Sequence, residues 1–214
     1  MSAGADYNDC ITSKRGKMMY RFYLAAVDML PAVLILAPAY WILNSLYFHN
    51  ARKSFCFFLF SCYLSIVYVL VGMPNVTYIR PEINLNLIPV IGMIDDWKNS
   101  FLNVLLFVPL GMMLPILWNR FRLQYNALLF GFGVSLSIEL SQMLTFRTTD
   151  VNDLITNTLG TYIGFLSAKV LLKRFHPAGN GTTGELVSAC CVTLAIMFFM
   201  YPFVSSVLWD FILT

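Results

Sequence analysis

Charged residues are scarce in this chain. Only 12% of its 214 residues are Asp, Glu, Lys or Arg, whereas 58% are hydrophobic. A soluble domain usually devotes about a quarter of its residues to charge, so this composition excludes an ordinary soluble protein. It indicates an integral membrane protein. The net charge of +3 is small and its basic residues are spread over several loops, so nucleic acid is not an expected partner.

The sequence also lacks the usual signals of metal binding and redox chemistry. Its five cysteines form no CxxC pair, and four of them lie in apolar stretches, where cysteine acts as a small buried hydrophobe. The two histidines, His49 and His176, lie in separate loops without a second ligand at metal-binding spacing. There is no internal repeat and no soluble domain. No resident cofactor or metal is therefore expected.

Long apolar runs are abundant. A spanning helix needs about 20 mostly apolar residues, and six segments qualify, at residues 22–48, 55–73, 101–118, 123–144, 154–172 and 186–213. Runs such as FCFFLF do not alternate as the strands of a membrane barrel would. The predicted fold is an all-α, polytopic transmembrane helical bundle with about six spans.

The segments divide the chain into five parts. In order, these are a polar and basic tail (1–21), two transmembrane helices (22–73), a core of one long loop and three transmembrane helices (74–175), a connector (176–185) and a C-terminal transmembrane helix (186–214). Three short loops carry basic residues beside a span end and are predicted to be cytoplasmic, which places the acid-bearing loops outside. The side of the N-terminus stays open, since Pro31 and Pro38 interrupt the first segment.

Polar side chains interrupt the apolar segments between residues 99 and 164. In the fifth segment, Asp150, Asp153, Asn157, Gly160 and Gly164 follow one another at spacings of three or four residues. On a helix these positions form one continuous stripe. It begins with polar groups and ends with glycines, which are predicted to pack against a neighbouring helix.

Other polar residues are expected at the same membrane level. Glu139 and Gln142, three residues apart, share one face of the fourth segment. Because charge in hydrocarbon is costly, it persists mainly where it is paired or used. The predicted functional cluster comprises Asn86, Pro89, Asn103, Glu139, Gln142, Arg147, Asp150, Asp153 and Asn157.

Structural roles compete with this interpretation. Asp150 can serve as the N-cap of its helix, Glu139 can form an internal ion pair with Arg147, and Asn157 can join two helices by hydrogen bonds. A cluster of this kind can instead hold a polar head group, with Arg147 on a phosphate or carboxylate. It can also bind a divalent cation through Asp150 and Asp153, or relay protons.

The ordered motifs resemble the VanZ-like family of bacterial membrane proteins. They read NLIP from Asn86 to Pro89, then N-x3-F-x-P-x-G, E-x2-Q and R-x2-D-x2-D-x3-N-x2-G-x3-G, and together cover about residues 85–172. The glycine and proline positions expected to serve helix packing are Pro109, Gly111, Gly160 and Gly164. Two features depart from the simplest members. An additional hydrophobic segment precedes the core, and Val90 stands where an aromatic residue often follows the NLIP element.

The resemblance implies a multi-pass protein of the bacterial cell membrane associated with low-level resistance to teicoplanin, a lipid-bearing glycopeptide antibiotic. The favoured hypothesis is a binding or shielding protein whose polar pocket, at the outer mouth of the bundle, engages a lipid-linked cell-wall precursor or the lipoglycopeptide. The alternative is an enzyme acting on a lipid-linked phosphate, with Glu139 as general base, Arg147 on the phosphate and Asp150 and Asp153 holding a cation. The first is favoured because no nucleophile–base pair or hydrolase motif is present. Membrane lipids are expected partners in both.

Overall fold

The computed structural model describes residues 14–81, 85–86, 97–145, 149–175 and 181–213. Its helices are α1 (Lys14–Leu43), α2 (Ala51–Leu70), α3 (Trp97–Leu117), α4 (Gln124–Gln142), α5 (Val151–Phe175), α6 (Thr183–Ala195) and α7 (Tyr201–Leu213). Two two-residue strands, β1 (Leu85–Asn86) and β2 (Thr149–Asp150), pair with each other. The predicted all-α helical fold is confirmed.

Four helical stretches in the described ranges are long and apolar enough to cross a membrane. They are Val27–Phe48, Ala51–Leu70, Trp97–Leu117 and Thr183–Phe211, the last of which runs through α6, a π-helical turn and α7. Helices α4 and α5 are not in this group, because the polar residues that mark the candidate site lower their hydropathy. The count of six spans therefore stays a prediction for these two helices.

Helix α1 differs from its expected boundaries. It begins at Lys14 rather than at residue 22, so part of the predicted N-terminal tail is helical. Pro31 and Pro38 lie inside the helix and do not end it. Prolines are tolerated in membrane helices because neighbouring groups satisfy the freed backbone carbonyls. The first segment is one long helix, which closes with a π-helical turn (Asn44–Phe48).

The end of the bundle predicted to be cytoplasmic is held by aromatic packing. We call it the basic end, defined by Arg52, Lys53, Arg120, Arg122 and Lys173. Here Trp118, only 1% exposed, stacks on Phe57 with the ring planes 2° apart and centroids separated by 5.2 Å. Such ring pairs contribute beyond the area that they bury. This cluster fixes the end of α3 against α2.

An ion pair joins α2 to α6 at the same end. Lys53 Nζ lies 2.6 Å from Glu185 Oε1. Glu185 also completes a capping box with Thr182, whose hydroxyl accepts the Glu185 amide while the Glu185 carboxylate accepts the Thr182 amide at 2.7 Å. A single carboxylate thus neutralises a lysine and starts a helix.

Helices α3 and α5 approach each other backbone to backbone. A side-chain carbon added at Gly160 would overlap the carbonyl oxygen of Val104, and one added at Gly164 would overlap that of Val108. Gly111 of α3 lies in the same way against the carbonyl of Thr161. Small residues permit this approach in membranes, where packing rather than hydrophobic burial drives helix association. The pair forms the scaffold beneath the polar residues.

Candidate functional site

The two short strands bring the backbone of Leu85 and Asn86, the first residue of the NLIP element, to the start of α5. They pair in parallel, with Leu85 opposite Thr149 and Asn86 opposite Asp150. Before them, the backbone N–H of Arg80 donates to the carbonyl of Leu144 at 2.8 Å. The long loop between α2 and α3 therefore runs beside the connection between α4 and α5. The backbone of Asn86 is held next to Asp150. We call this end of the bundle, defined by Asn86, Glu139, Gln142, Asp150 and Asp153, the polar end.

Glu139 is buried and holds the connection between α4 and α5 against α4 by a hydrogen bond. Its side chain accepts the backbone N–H of Asp150 at 2.9 Å through Oε2, and the residue is 3% exposed. The Thr149 hydroxyl donates to the Glu139 carbonyl at 3.0 Å. A buried carboxylate needs a donor such as the Asp150 amide to offset its desolvation. Arg147, the ion-pair partner considered for Glu139, lies outside the described residues, as does Pro89.

Asp150 acts as a helix cap. Its Oδ1 accepts the backbone N–H of Asn152 at 2.8 Å, within the first turn of α5. This geometry satisfies an amide that the helix itself leaves unbonded, as expected for an N-cap residue. Asp150 and Asp153 are both half-buried. The structural interpretation of Asp150 as a helix cap is supported.

Asn157 joins α5 to α4 below this level. Its Nδ2 donates to Ser135 Oγ at 2.9 Å, and Asn157 is 4% exposed. Its Oδ1 is buried without a hydrogen-bond partner among the described residues, and the same is true of Gln142 Oε1. An unsatisfied buried acceptor costs about 1–3 kcal/mol. A group that supplied a donor to either oxygen would remove this cost.

Two residues of this interface escaped the sequence-based prediction. Ser135 is fully buried and bonds Asn157, and Thr161 donates from Oγ1 to the Asn157 carbonyl at 3.0 Å while its side chain fills the space above Gly131. Ser135 lies four residues before Glu139, and Thr161 four after Asn157. That spacing puts each on the face of its predicted neighbour.

Asn103 lies on the third helix at a similar depth. It is half-buried and precedes Val104, whose carbonyl faces Gly160. This register places Asn103 near the level of Asn157, one turn before Gly160. The structure thus connects the backbone of Asn86, Glu139 and Asp150 directly. Gln142 and Asp153 follow within one turn on α4 and α5, and Asn103 and Asn157 lie deeper on α3 and α5.

The site differs from an open polar mouth. Its central side chains are covered, since Glu139, Gln142 and Asn157 are each at most 6% exposed, and the aspartates form its half-buried rim. No three acidic, histidine or cysteine side chains in the described ranges lie close enough to hold a metal ion. Asp150 and Asp153 could supply only part of a cation's oxygen ligands.

The family that the motifs suggested is also found by comparison. A model of the VanZ/LLP1 family matches residues 15–172. The chain therefore belongs to the VanZ/LLP1 family of membrane proteins. The match begins at residue 15 rather than near residue 85, so α1 and α2 fall within the matched region instead of preceding it. No curated protein and no solved structure matches the chain.

Proposed function

We propose that this protein resides in the bacterial cell membrane as a multi-pass protein and binds or shields a lipid-linked envelope component through its polar end, thereby lowering susceptibility to teicoplanin. The family supports the class of function, and the buried amides support the mode. One observation carries the proposal: Asn157 Oδ1 and Gln142 Oε1 are buried acceptors without partners in the described chain. A ligand rich in N–H and O–H groups, as cell-wall precursors and glycopeptides are, would satisfy both.

The contacts of Glu139 favour binding over catalysis. Its Oε2 is occupied by the Asp150 amide at 2.9 Å, and Ser135, the nearest buried hydroxyl on the same face of α4, bonds Asn157 rather than a base. A general base must reach the proton that it removes, and a nucleophile needs a base within hydrogen-bond distance. Ser135 therefore does not form a nucleophile–base pair with Glu139. Arg147, Asp150 and Asp153 remain the groups that an enzyme of lipid-linked phosphates would use.

Glu139→Gln separates the two functions. Glutamine keeps an acceptor oxygen for the Asp150 amide but cannot act as a base. Cells expressing Glu139→Gln at the wild-type membrane level should keep most of their teicoplanin resistance if the protein binds its ligand. They should lose all of it if Glu139 transfers a proton.

The matched variants are Glu139→Ala, which removes the acceptor, and Asp153→Asn, which removes a rim charge. A binding protein should be impaired by the first and only partly by the second. Equal susceptibility of cells with wild-type protein and cells with empty vector would refute the antibiotic function. Complete loss of resistance in Glu139→Gln and Asp153→Asn, with both proteins folded in the membrane, would favour the enzyme.

A further inference from the structure

A long cavity lies between α2, α4 and α6, and on α4 it ends at Ile138, the residue before Glu139. Its volume is about 630 Å³, within the range of about 300–1,000 Å³ typical of ligand pockets. Apolar side chains form most of its walls, among them Leu64, Trp118, Phe130, Ile138, Leu186 and Leu194. We call this cavity the lateral groove.

The lateral groove is elongated along the helices. On α4 it extends from Asn126 to Ile138, and on α6 from Thr183 to Leu194. At 1.5 Å per residue, these stretches are about 17–18 Å long. Half of the roughly 30 Å hydrocarbon core of a bilayer is about 15 Å. The stretches on α4 and α6 are thus at least as long as one leaflet is deep, and the groove continues along α2 past Val67 and Tyr68 to Met73.

The groove opens toward the bilayer. Leu129 of α4 and Val187 of α6 both line it, and each is 54% exposed on the outer surface. Gly133 lines it as well, and a side-chain carbon added there would meet no atom within 4 Å. A hydrophobic molecule dissolved in the membrane can therefore enter sideways between α4 and α6.

One end of the groove carries positive charge. Arg120 is exposed at this end, and its carbonyl accepts Asn126 Nδ2 at 2.9 Å, which fixes the turn before α4. The acid closest along α6, Glu185, does not cancel this charge because it is paired with Lys53 at 2.6 Å. The rim is suited to an anion, and Arg binds phosphate in a well-defined geometry.

We propose that the lateral groove binds one acyl chain of an anionic glycerophospholipid whose phosphate contacts Arg120. At about 30 Å³ per water-sized group, the volume holds about twenty methylene groups, which is one chain rather than two. The exposed Arg120 at the rim favours an anionic lipid over an apolar helix of a second copy as the occupant. This site is independent of the function proposed for the polar end.

Trp118 provides the readout, because it lines the groove and is 1% exposed. A full-length variant with Trp118 as its sole tryptophan (Trp41, Trp97 and Trp209 replaced by Phe) is placed in vesicles containing phosphatidylglycerol or phosphatidylcholine with brominated chains. Bromine quenches tryptophan at short range. We expect quenching at about fivefold lower mole fraction of phosphatidylglycerol, as one arginine near a membrane surface provides.

Two substitutions test the charged rim and the apolar groove separately. Arg120→Gln should abolish the preference for phosphatidylglycerol, and Gly133→Leu should fill the groove and reduce quenching by both lipids. Their controls are Lys173→Gln, a basic residue at the same end, and Leu136→Phe on α4; neither position lines the groove. Both controls should behave like the parent protein.

Native mass spectrometry of the wild-type protein with phosphatidylglycerol should show one retained lipid, and Gly133→Leu should lose it. Because this measurement needs no tryptophan replacement, it controls for the effects of those replacements. Quenching unaffected by Gly133→Leu would overturn the site. Equal quenching by the two lipids in the parent protein would overturn its assignment to an anionic lipid. A lipid-free dimer would overturn both by showing that a second copy covers the groove.

Discussion

The basic end and the polar end of the bundle both bury a glutamate, but they satisfy it differently. Glu185 faces Lys53 at 2.6 Å and also caps its own helix, so its charge and its hydrogen bonds are accounted for within the fold. Glu139 holds a backbone amide of the connection between α4 and α5, beside amide oxygens that lack partners in the described chain. The first arrangement explains stability. The arrangement at the polar end leaves acceptor oxygens for a ligand, and we therefore propose the binding site at that end.

The largest expected effect concerns the scaffold of the polar end. Gly164→Leu would drive a side chain into the Val108 carbonyl, which belongs to the backbone and cannot rotate away. Overpacking typically costs about 1–3 kcal/mol and more when the backbone is forced apart. We expect loss of folded protein, measured by size-exclusion chromatography in detergent. Gly133→Leu, at an open position, should remain folded, and equal behaviour of the two variants would contradict the close contact of α3 with α5.

The next effect tests the role of Glu139. Glu139→Ala leaves the Asp150 amide without its acceptor, and we expect a loss of about 1–3 kcal/mol. Glu139→Gln keeps an acceptor and should lose less. Thermal unfolding of the purified proteins measures both. If Glu139→Gln and Glu139→Ala were equally destabilising, the negative charge rather than the hydrogen bond would hold the connection between α4 and α5. Glu139 and Glu185 would then stabilise their two ends in similar ways.

The ion pair at the basic end should contribute less. Lys53 is a quarter exposed at its side chain, so solvent screens the attraction to Glu185. A double-mutant cycle with Lys53→Met and Glu185→Gln should give a coupling of about 1 kcal/mol. The matched substitution Arg52→Met, at the exposed neighbour, should show no coupling with Glu185→Gln. A coupling near zero for Lys53 would mean that Glu185 serves only as a helix cap.

The smallest effect is expected between Asn157 and Ser135. Hydrogen bonds between membrane helices average about 0.6 kcal/mol in double-mutant cycles. A cycle with Asn157→Ala and Ser135→Ala should therefore give a coupling close to that value, measured by unfolding in detergent. Asn157→Ala should nevertheless weaken teicoplanin resistance more than Ser135→Ala. Asn157, unlike Ser135, has a buried acceptor without a partner among the described residues. Equal losses of resistance would indicate a structural role alone.

Local sequence patterns predicted the helices well and the contacts between them less well. The segment expected at 55–73 is the helix Ala51–Leu70, and that at 101–118 is Trp97–Leu117. Apolar runs of spanning length dictate such helices because backbone groups in lipid must bond internally. Helix α1 extended further than expected, since a helix can continue through polar residues at the membrane surface, and hydropathy marks only the apolar part.

The sequence predicted which helix faces carry polar residues but not which bonds those residues form. The spacing of Asp150, Asp153 and Asn157 placed them on one face of one helix, as the 3.6-residue period requires. That Glu139 accepts the amide of Asp150 could not be foreseen, because the contact depends on how the intervening turn folds back. Ser135 was missed for a related reason: a serine gains a role only when another helix presents a partner to it.

Composition and periodicity alone determined that this chain is a helical membrane protein and which side chains are costly to leave in lipid. Those are properties of single segments in contact with a solvent. Only the tertiary structure decided that the strand Leu85–Asn86 lies beside Asp150, that α3 and α5 touch through glycines, and that a groove remains between α4 and α6. These features depend on the relative placement of segments far apart in sequence, which packing geometry sets and no local pattern records.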